Sequence, residues 1–170
     1  MEQPIQWIFF ALATQMGYKV YGGDATDAFT HSPPPEQPTF VAINDAYTKW
    51  YEHTFSKVLN QSQILPVLHA LQGHPESGRL WEVHIGKILQ ELKFATTVHD
   101  RSIYSTIIDG KPILLLHKVD DFAMACPSEE VAWSMYGQIS KMLQLPSELE
   151  PPFKYLGFFH DFNGLDVHQY

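Results

Sequence analysis

The fold is decided by the stretch SIYSTIIDGKPILLLHKVDDFAMAC, residues 102–126. The β-branched residues from Ser102 to Ile108 predict a strand, and Asp109-Gly110 is a strong two-residue hairpin turn. Pro112 to Val119 then predicts the returning strand, and the apolar run Phe122 to Cys126 continues the hairpin. Strands joined by such short turns pair antiparallel, so this stretch predicts a small antiparallel sheet.

Helical patterns occur in the sequence both before and after this stretch. Apolar residues recur at three- and four-residue spacing in residues 4–17, and Gly17 is a plausible stop. Similar patterns predict helices from Asn44 to Leu59, from Pro75 to about Leu92, and from Pro127-Ser128 onward. Helices interspersed with antiparallel strands indicate an α+β fold, in which a small antiparallel sheet is backed by helices.

Two further β segments are predicted outside the central stretch. Tyr18 to Tyr21 predicts a short strand that ends on Gly22-Gly23-Asp24, after which the proline run at residues 33–35 forbids regular structure. Residues 60–66 read as a loop. Phe153 to Phe159 predicts a last β segment. Asp24 is therefore expected at the end of a strand.

The acidic pair Asp120-Asp121 lies at a turn between two apolar runs. Burying two carboxylates there is costly unless a positive charge lies against them, and paired carboxylates commonly bind a divalent cation such as Mg²⁺. Nucleotidyl transfer uses two such ions, held by carboxylates from different elements, and Asp24 is the candidate third acid. The alternative is that Asp120-Asp121 is only a polar turn.

Composition limits the functions that this chain can have. Its net charge of −8, with only 11 Lys and Arg among 170 residues, argues against a broad electropositive surface for nucleic acid. The single cysteine, Cys126, excludes an internal disulfide and a multi-thiolate zinc site, which suits a reducing compartment. The apolar stretch from Ile5 to Thr14 is too short to span a bilayer and lacks the basic flank of a secretory signal. We expect an intracellular, cytoplasmic protein with no membrane partner.

Four stretches, in order along the chain, carry a family resemblance: DATDAF (24–29), LHALQGHPESGRLW (68–81), HKVDD (117–121) and FKYLG (153–157). Together they resemble the polymerase of copia-type retrotransposons over about residues 5–160. The first is similar to the first palm motif, and the second to the segment that precedes and opens a palm helix. The third resembles the metal-binding motif, and the fourth the hairpin that grips the primer end. The combination is much more specific than any single stretch.

The resemblance implies that residues 1–170 form a partial reverse-transcriptase domain, a palm with fingers and thumb largely missing. It implies an RNA-directed DNA polymerase that uses two Mg²⁺ ions, or Mn²⁺, to join a nucleotide to a primer 3′-hydroxyl. The implied partners are an RNA template, a DNA primer and deoxynucleotides. The fingers, thumb and ribonuclease H regions of a longer polyprotein would supply much of the positive charge that this chain lacks.

The resemblance also assigns site residues by position. Catalytic and metal-binding roles fall to Asp24, Asp120 and Asp121, with the main-chain carbonyl of Ala25 as a further ligand. Nucleotide-binding roles fall to Ala25, Asp27, Ala28, Phe29, Gln72 and Gly73. Primer contacts fall to Tyr155, Leu156 and Gly157. On sequence alone, Phe29 is as readily a core aromatic, Gln72-Gly73 an ordinary loop, and Asp27 a cap of a helical turn.

One departure from the family pattern is next to the acidic pair. Lys118 occupies the position that is normally aromatic, although alternation along a strand allows it to point away from the acids. This departure and the missing regions favour an alternative function, a catalytically inactive retroelement remnant or a repurposed interaction module. A third alternative, an unrelated magnesium phosphohydrolase, lacks a recognisable general base.

Overall fold

A computed structural model describes residues 3–60, 63–96, 98, 100–143, 153–155, 158–161 and 166–169. Within these ranges the helices are α1 Gln3–Gln15, α2 Asp45–Phe55, α3 Ser77–Glu91 and α4 Glu129–Leu143. The strands are β1 Lys19–Asp24, β2 Phe40–Ala42, β3 Ile64–Pro66, β4 Ala95–Thr96, β5 Ile103–Ile108, β6 Lys111–Lys118, β7 Asp121–Cys126, β8 Phe153–Tyr155, β9 Phe158–Asp161 and β10 Asp166–Gln169. The predicted α+β class is confirmed.

The principal sheet has five antiparallel strands in the order β1-β7-β6-β5-β4. Strands β5, β6 and β7 follow one another in the chain, and the Asp109-Gly110 turn joins the first two. Both turn residues have positive φ, 50° and 75°, as the favoured type I′ hairpin turn requires. The predicted hairpin is confirmed, and β1 is added to it by pairing with β7.

The two central strands, β6 and β7, are buried on both faces. On one face, Phe9 and Ala13 of α1 pack with Val20, Leu116 and other buried residues of the sheet. On the opposite face, Tyr136 and Ile139 of α4 line a small apolar crevice together with residues of β1, β6 and β7. Double-sided burial explains why these strands read as continuous apolar runs rather than alternating ones.

Helix ends follow local signals in the sequence. Gly17, with φ 66°, follows α1, and the amide of Tyr18 donates to the carbonyl of Ala13. The side chain of Asn44 caps α2 by accepting a 2.8 Å hydrogen bond from the amide of Tyr47. The prediction that this helix reaches Leu59 is wrong, because Ser56 adopts a left-handed conformation that ends it at Phe55.

The chain divides into two compact units, Met1–Ala28 with Glu82–Tyr170, and Phe29–Trp81. In the second unit, β2 and β3 form a two-stranded sheet, so residues 64–66 are not the loop that the sequence predicts. In the first unit, β8 and β9 pair within a three-stranded sheet with β10, in the region of the predicted last β segment. None of the described helices is both long and apolar enough to cross a membrane.

Candidate active site

Three acidic residues meet at one end of the five-stranded sheet. Asp24 is the last residue of β1 and Asp121 is the first residue of β7, and the two are register partners. The main-chain oxygen of Asp120, in the turn before β7, accepts a 2.7 Å hydrogen bond from the amide of Ala25. Pairing of β1 with β7 therefore brings the predicted third acid alongside the acidic pair.

Lys118 belongs to the same row of side chains. It is the register partner of Asp121 across the β6–β7 turn, just as Asp24 is the partner of Asp121 across β1 and β7. Residues directly opposite each other in antiparallel strands place their side chains on the same face of the sheet. Lys118 thus shares a face with Asp24 and Asp121 and does not point away from them. Alternation alone could not show this, because register decides which residues share a face.

The turn that carries Asp120 has an unusual backbone. Val119 has a φ of 54°, in the left-handed region that β-branched residues rarely adopt. The ring of His117 lies below this turn, with Nε2 2.8 Å from the main-chain oxygen of Val119. Because a carbonyl oxygen can only accept, Nε2 carries the proton and donates it.

Asp24 and Asp120 lie close enough to repel each other. Asp24 and Asp120 are exposed, and Asp121 is half-buried. Partial burial raises the pKa of Asp24, and the negative charge of Asp120 raises it further. Since Asp24 remains in contact with water, solvent screens much of this repulsion. A cation bound between the carboxylates would relieve the remaining repulsion.

Sequence reasoning missed two residues that shape this end of the sheet, Gly23 and Tyr136. A Cβ atom at Gly23 would lie 2.7 Å from Cε2 of Tyr136, so the tyrosine ring fits only because residue 23 has no side chain. Burial raises the pKa of Tyr136, and the charge of Asp24 adds to it, which places the phenol near the acids. The signal in the sequence was the Gly22-Gly23 pair inside a strand, since glycine there often marks a close approach.

The donor types at this site suit Mg²⁺, because carboxylate and main-chain carbonyl oxygens are its preferred protein ligands. The side chains do not, however, form a finished ligand set. Among the residues that the structure describes, no group of three or more His, Cys, Asp or Glu side chains is arranged to hold a metal ion. The bound Mg²⁺ therefore stays a prediction.

The loop after β1 contains three of the other predicted residues. Ala25 and Ala28 are buried, and the carbonyl of Ala25 accepts a 3.2 Å hydrogen bond from the amide of Ala28. That carbonyl keeps a second lone pair for a ligand. Asp27 is exposed and has a φ of 52°, which Asp tolerates better than most residues.

The remaining residues predicted to bind nucleotide belong to the second compact unit. Phe29 is half-buried in a short 3-10 turn, Ala28–His31. Gln72 and Gly73 are exposed in the loop before α3, where the Ser77 hydroxyl donates to the Leu71 carbonyl. A Cβ at Gly73 would meet nothing within 4 Å, and its φ is 87°. The positive φ, and not a lack of space, therefore explains why residue 73 is a glycine.

The predicted primer-contacting residues fall largely outside the described part of the chain. Tyr155 ends β8, whereas Leu156 and Gly157 lie outside the described residues. Their role stays a prediction from sequence.

No protein-family model matches the chain, and no curated protein matches it with significant similarity.

Proposed function

We propose that this chain is the palm core of a copia-type reverse transcriptase, an RNA-directed DNA polymerase. The observation that supports this most is the pairing of β1 with β7, which brings Asp24 to Asp120 and Asp121. These residues were proposed as one site from separate stretches of sequence. A polar turn without function gives no reason for a third acid from a distant strand to lie beside it.

In this proposal, Asp24, Asp120, Asp121 and the Ala25 carbonyl bind two Mg²⁺ ions, which Mn²⁺ could replace. When bound, such ions activate a primer 3′-hydroxyl and stabilise the leaving pyrophosphate. The residues of this chain supply the negative charge that holds the ions and a fixed turn that carries one of the acids. The side chains must close around the ions on binding, since they do not form a ligand set in the described structure.

The proposal assigns substrates and partners as well. Asp27, Ala28, Phe29, Gln72 and Gly73 contact the incoming deoxynucleotide and the template, and residues 155–157 contact the primer. The template is RNA and the primer DNA. Because the chain carries a net charge of −8, basic fingers, thumb and ribonuclease H regions of a longer polyprotein provide most of the affinity for nucleic acid.

The test begins with the metal, which needs no other region of the enzyme. Mn²⁺ binding to the 170-residue chain is measured by electron paramagnetic resonance, for the wild type and for Asp120→Asn. The control is Asp109→Asn, which removes one carboxylate at the opposite turn of β6. We expect Asp120→Asn to weaken Mn²⁺ binding by about tenfold or more, as the loss of one charged ligand should, and Asp109→Asn to leave it unchanged.

Catalysis is then tested by primer extension on an RNA template in the presence of Mg²⁺. Incorporation of deoxynucleotides that Asp120→Asn abolishes and Asp109→Asn retains would support the polymerase. Equal Mn²⁺ affinity for all three proteins, with no incorporation, would sink the catalytic proposal.

A second candidate function is a catalytically inactive remnant or interaction module that keeps the palm core. The observation that favours it is the position of Lys118, whose side chain shares a face with Asp121 and Asp24. A lysine there can neutralise the acids without a metal. Under this alternative the chain neither binds Mn²⁺ nor extends a primer, and template-dependent synthesis by the chain would exclude it.

A further inference from the structure

His117 is a buried polar residue below the acidic turn. It is 1% exposed, and its ring packs against that of its register partner Phe122, with centroids 4.9 Å apart. Its main-chain amide donates a 2.8 Å hydrogen bond to Ser102, so the backbone beneath the ring is fixed. An apolar residue would fill this space at lower desolvation cost, so the ring requires a reason beyond packing.

The hydrogen bond from His117 fixes one peptide group of the turn. Its Nε2 donates to the oxygen of Val119, which belongs to the peptide that ends at the amide of Asp120. The peptide that leaves Asp120 is fixed as well, because its oxygen accepts from the amide of Ala25. Both peptide planes beside the Asp120 Cα are therefore anchored, one by a side chain and one by β1. Two fixed planes determine where the Cα–Cβ bond of Asp120 points.

The imidazole that makes this hydrogen bond is the neutral form. Nδ1 lies 3.9 Å from Oε2 of Glu82, which is in α3. Burial lowers the pKa of His117 to about 4, although the Val119 oxygen and the charge of Asp120 oppose this effect. The ring is thus neutral at physiological pH, with its proton on Nε2.

We propose that His117 is a positioning residue, which holds the Val119–Asp120 peptide so that the Asp120 carboxylate is aimed at the ligand site. That the site takes a divalent ion rests on the proposed function; that His117 orders the turn does not. The competing explanation is a core histidine that contributes only to packing.

The experiment compares His117→Leu and His117→Met, which fill the space without a donor, with His117→Gln, whose amide can still donate. Backbone order parameters of Val119, Asp120 and Asp121 are measured by ¹⁵N relaxation in the full chain. We expect values of about 0.85 in the wild type and His117→Gln, falling below about 0.6 in the two apolar variants. The Asp109-Gly110 turn is the internal control and should keep its order in every protein.

Mn²⁺ affinity provides the second measurement. We expect it to fall by about tenfold in His117→Leu, the equivalent of one lost hydrogen bond, and to recover in His117→Gln. If the wild type binds no Mn²⁺, the proposed function loses its support, and the order parameters alone decide the role of His117. Unchanged turn order in a folded apolar variant would overturn the proposal.

A measurement on the wild type tests the role of His117 even if the variants do not fold. The ring nitrogen shifts of His117 report which nitrogen carries the proton. The Nε2 form with a slowly exchanging proton is expected, and the Nδ1 form would refute the role given to His117.

Discussion

Val119 combines a β-branched side chain with a φ of 54°, immediately before an acidic residue. Backbones in this region cost a residue with a branched Cβ on the order of 1–3 kcal/mol, and they persist only where the surroundings impose them. Here the imposing contacts are the His117 hydrogen bond to Val119 and the Ala25 hydrogen bond to Asp120. Strain at this position is consistent with a turn shaped for a site rather than for stability.

Val119→Gly should therefore stabilise the fold. Glycine adopts positive φ freely, which outweighs its greater entropy in the unfolded chain, and we expect a gain of about 1 kcal/mol in the free energy of unfolding. Urea denaturation measures it. The control is Val83→Gly, another exposed valine, which lies inside α3 and should lose roughly 0.5 kcal/mol of helix propensity. A loss at both positions would show that the Val119 turn is not strained.

Asp24→Asn should also stabilise the chain at neutral pH. The pKa of Asp24 is raised in the folded state, first by burial and then by Asp120, so folding disfavours its ionised form. This cost is absent below the ordinary pKa of 3.8, grows as the pH rises from there to the folded pKa, and is complete above it. Unfolding of both proteins is compared from pH 3 to pH 8. Lower stability of Asp24→Asn at neutral pH would mean that the ionised carboxylate makes a stabilising contact.

At the scale of elements, the acidic end of the sheet depends on the close contact between β1 and α4. The ring of Tyr136 in α4 packs against Gly23 in β1, one residue before Asp24. A side chain at residue 23 would push the helix away from the strand or distort the strand end. The packing of this helix is thus coupled to the position of Asp24.

Gly23→Ala should destabilise the chain by about 1–3 kcal/mol, the usual cost of overpacking a buried contact. Thermal denaturation provides the measurement. Gly137→Ala is the matched control in α4, where a Cβ meets nothing within 4 Å, and it should gain up to about 1 kcal/mol from helix propensity. If both changes stabilise the chain equally, Tyr136 does not pack as described.

The row of Lys118, Asp121 and Asp24 leads to a prediction about ion affinity. Lys118→Tyr removes a positive charge from the face that carries the acids, so Mn²⁺ should bind about tenfold more tightly at low salt, from the repulsion between a single and a double positive charge across about 6 Å of water-like medium. The increase should diminish at high salt. Lys111→Tyr, at the other end of β6, should leave the affinity unchanged. Tighter binding in both variants would indicate an effect of net charge alone.

The features that the sequence could predict are those that depend on residues close together in the chain. Spacing at Ile5, Phe9 and Leu12 is sufficient to identify α1, and Asp109-Gly110 is sufficient to locate a hairpin, because both depend on neighbours in the chain. Register between β1 and β7 joins residues from opposite parts of the chain, so no local pattern revealed that Lys118 shares a face with Asp24. The contact of Tyr136 with Gly23 was hidden for the same reason.

At the scale of the whole molecule, the buried His117 makes the free energy of unfolding depend on pH in the acidic range. Its pKa is about 4 in the folded chain and about 6.5 in the unfolded chain, so its contribution is complete above pH 6.5 and is lost as the pH falls towards 4. The loss approaches about 3 kcal/mol from a shift of this size. Two acidic groups face its ring: Glu82, with Oε2 3.9 Å from Nδ1, and Asp120, whose charge opposes the lowering of the pKa.

The measurement is the free energy of unfolding of the wild type and His117→Leu at several pH values. The wild type should lose stability relative to the variant between pH 6.5 and pH 4. A constant difference over this range would contradict a neutral, buried imidazole.

The strand order β1-β7-β6-β5-β4 also bears on the order in which the strands pair during folding. Strands β5, β6 and β7 are joined by tight turns and can zip together within a short segment, whereas β1 must return across the whole intervening chain to reach β7. Closing so long a loop is entropically expensive until the rest of the sheet offers an edge to bind. We therefore expect Asp24 to reach Asp120 and Asp121 late in folding, so that the acidic cluster stays incomplete until β1 pairs with β7.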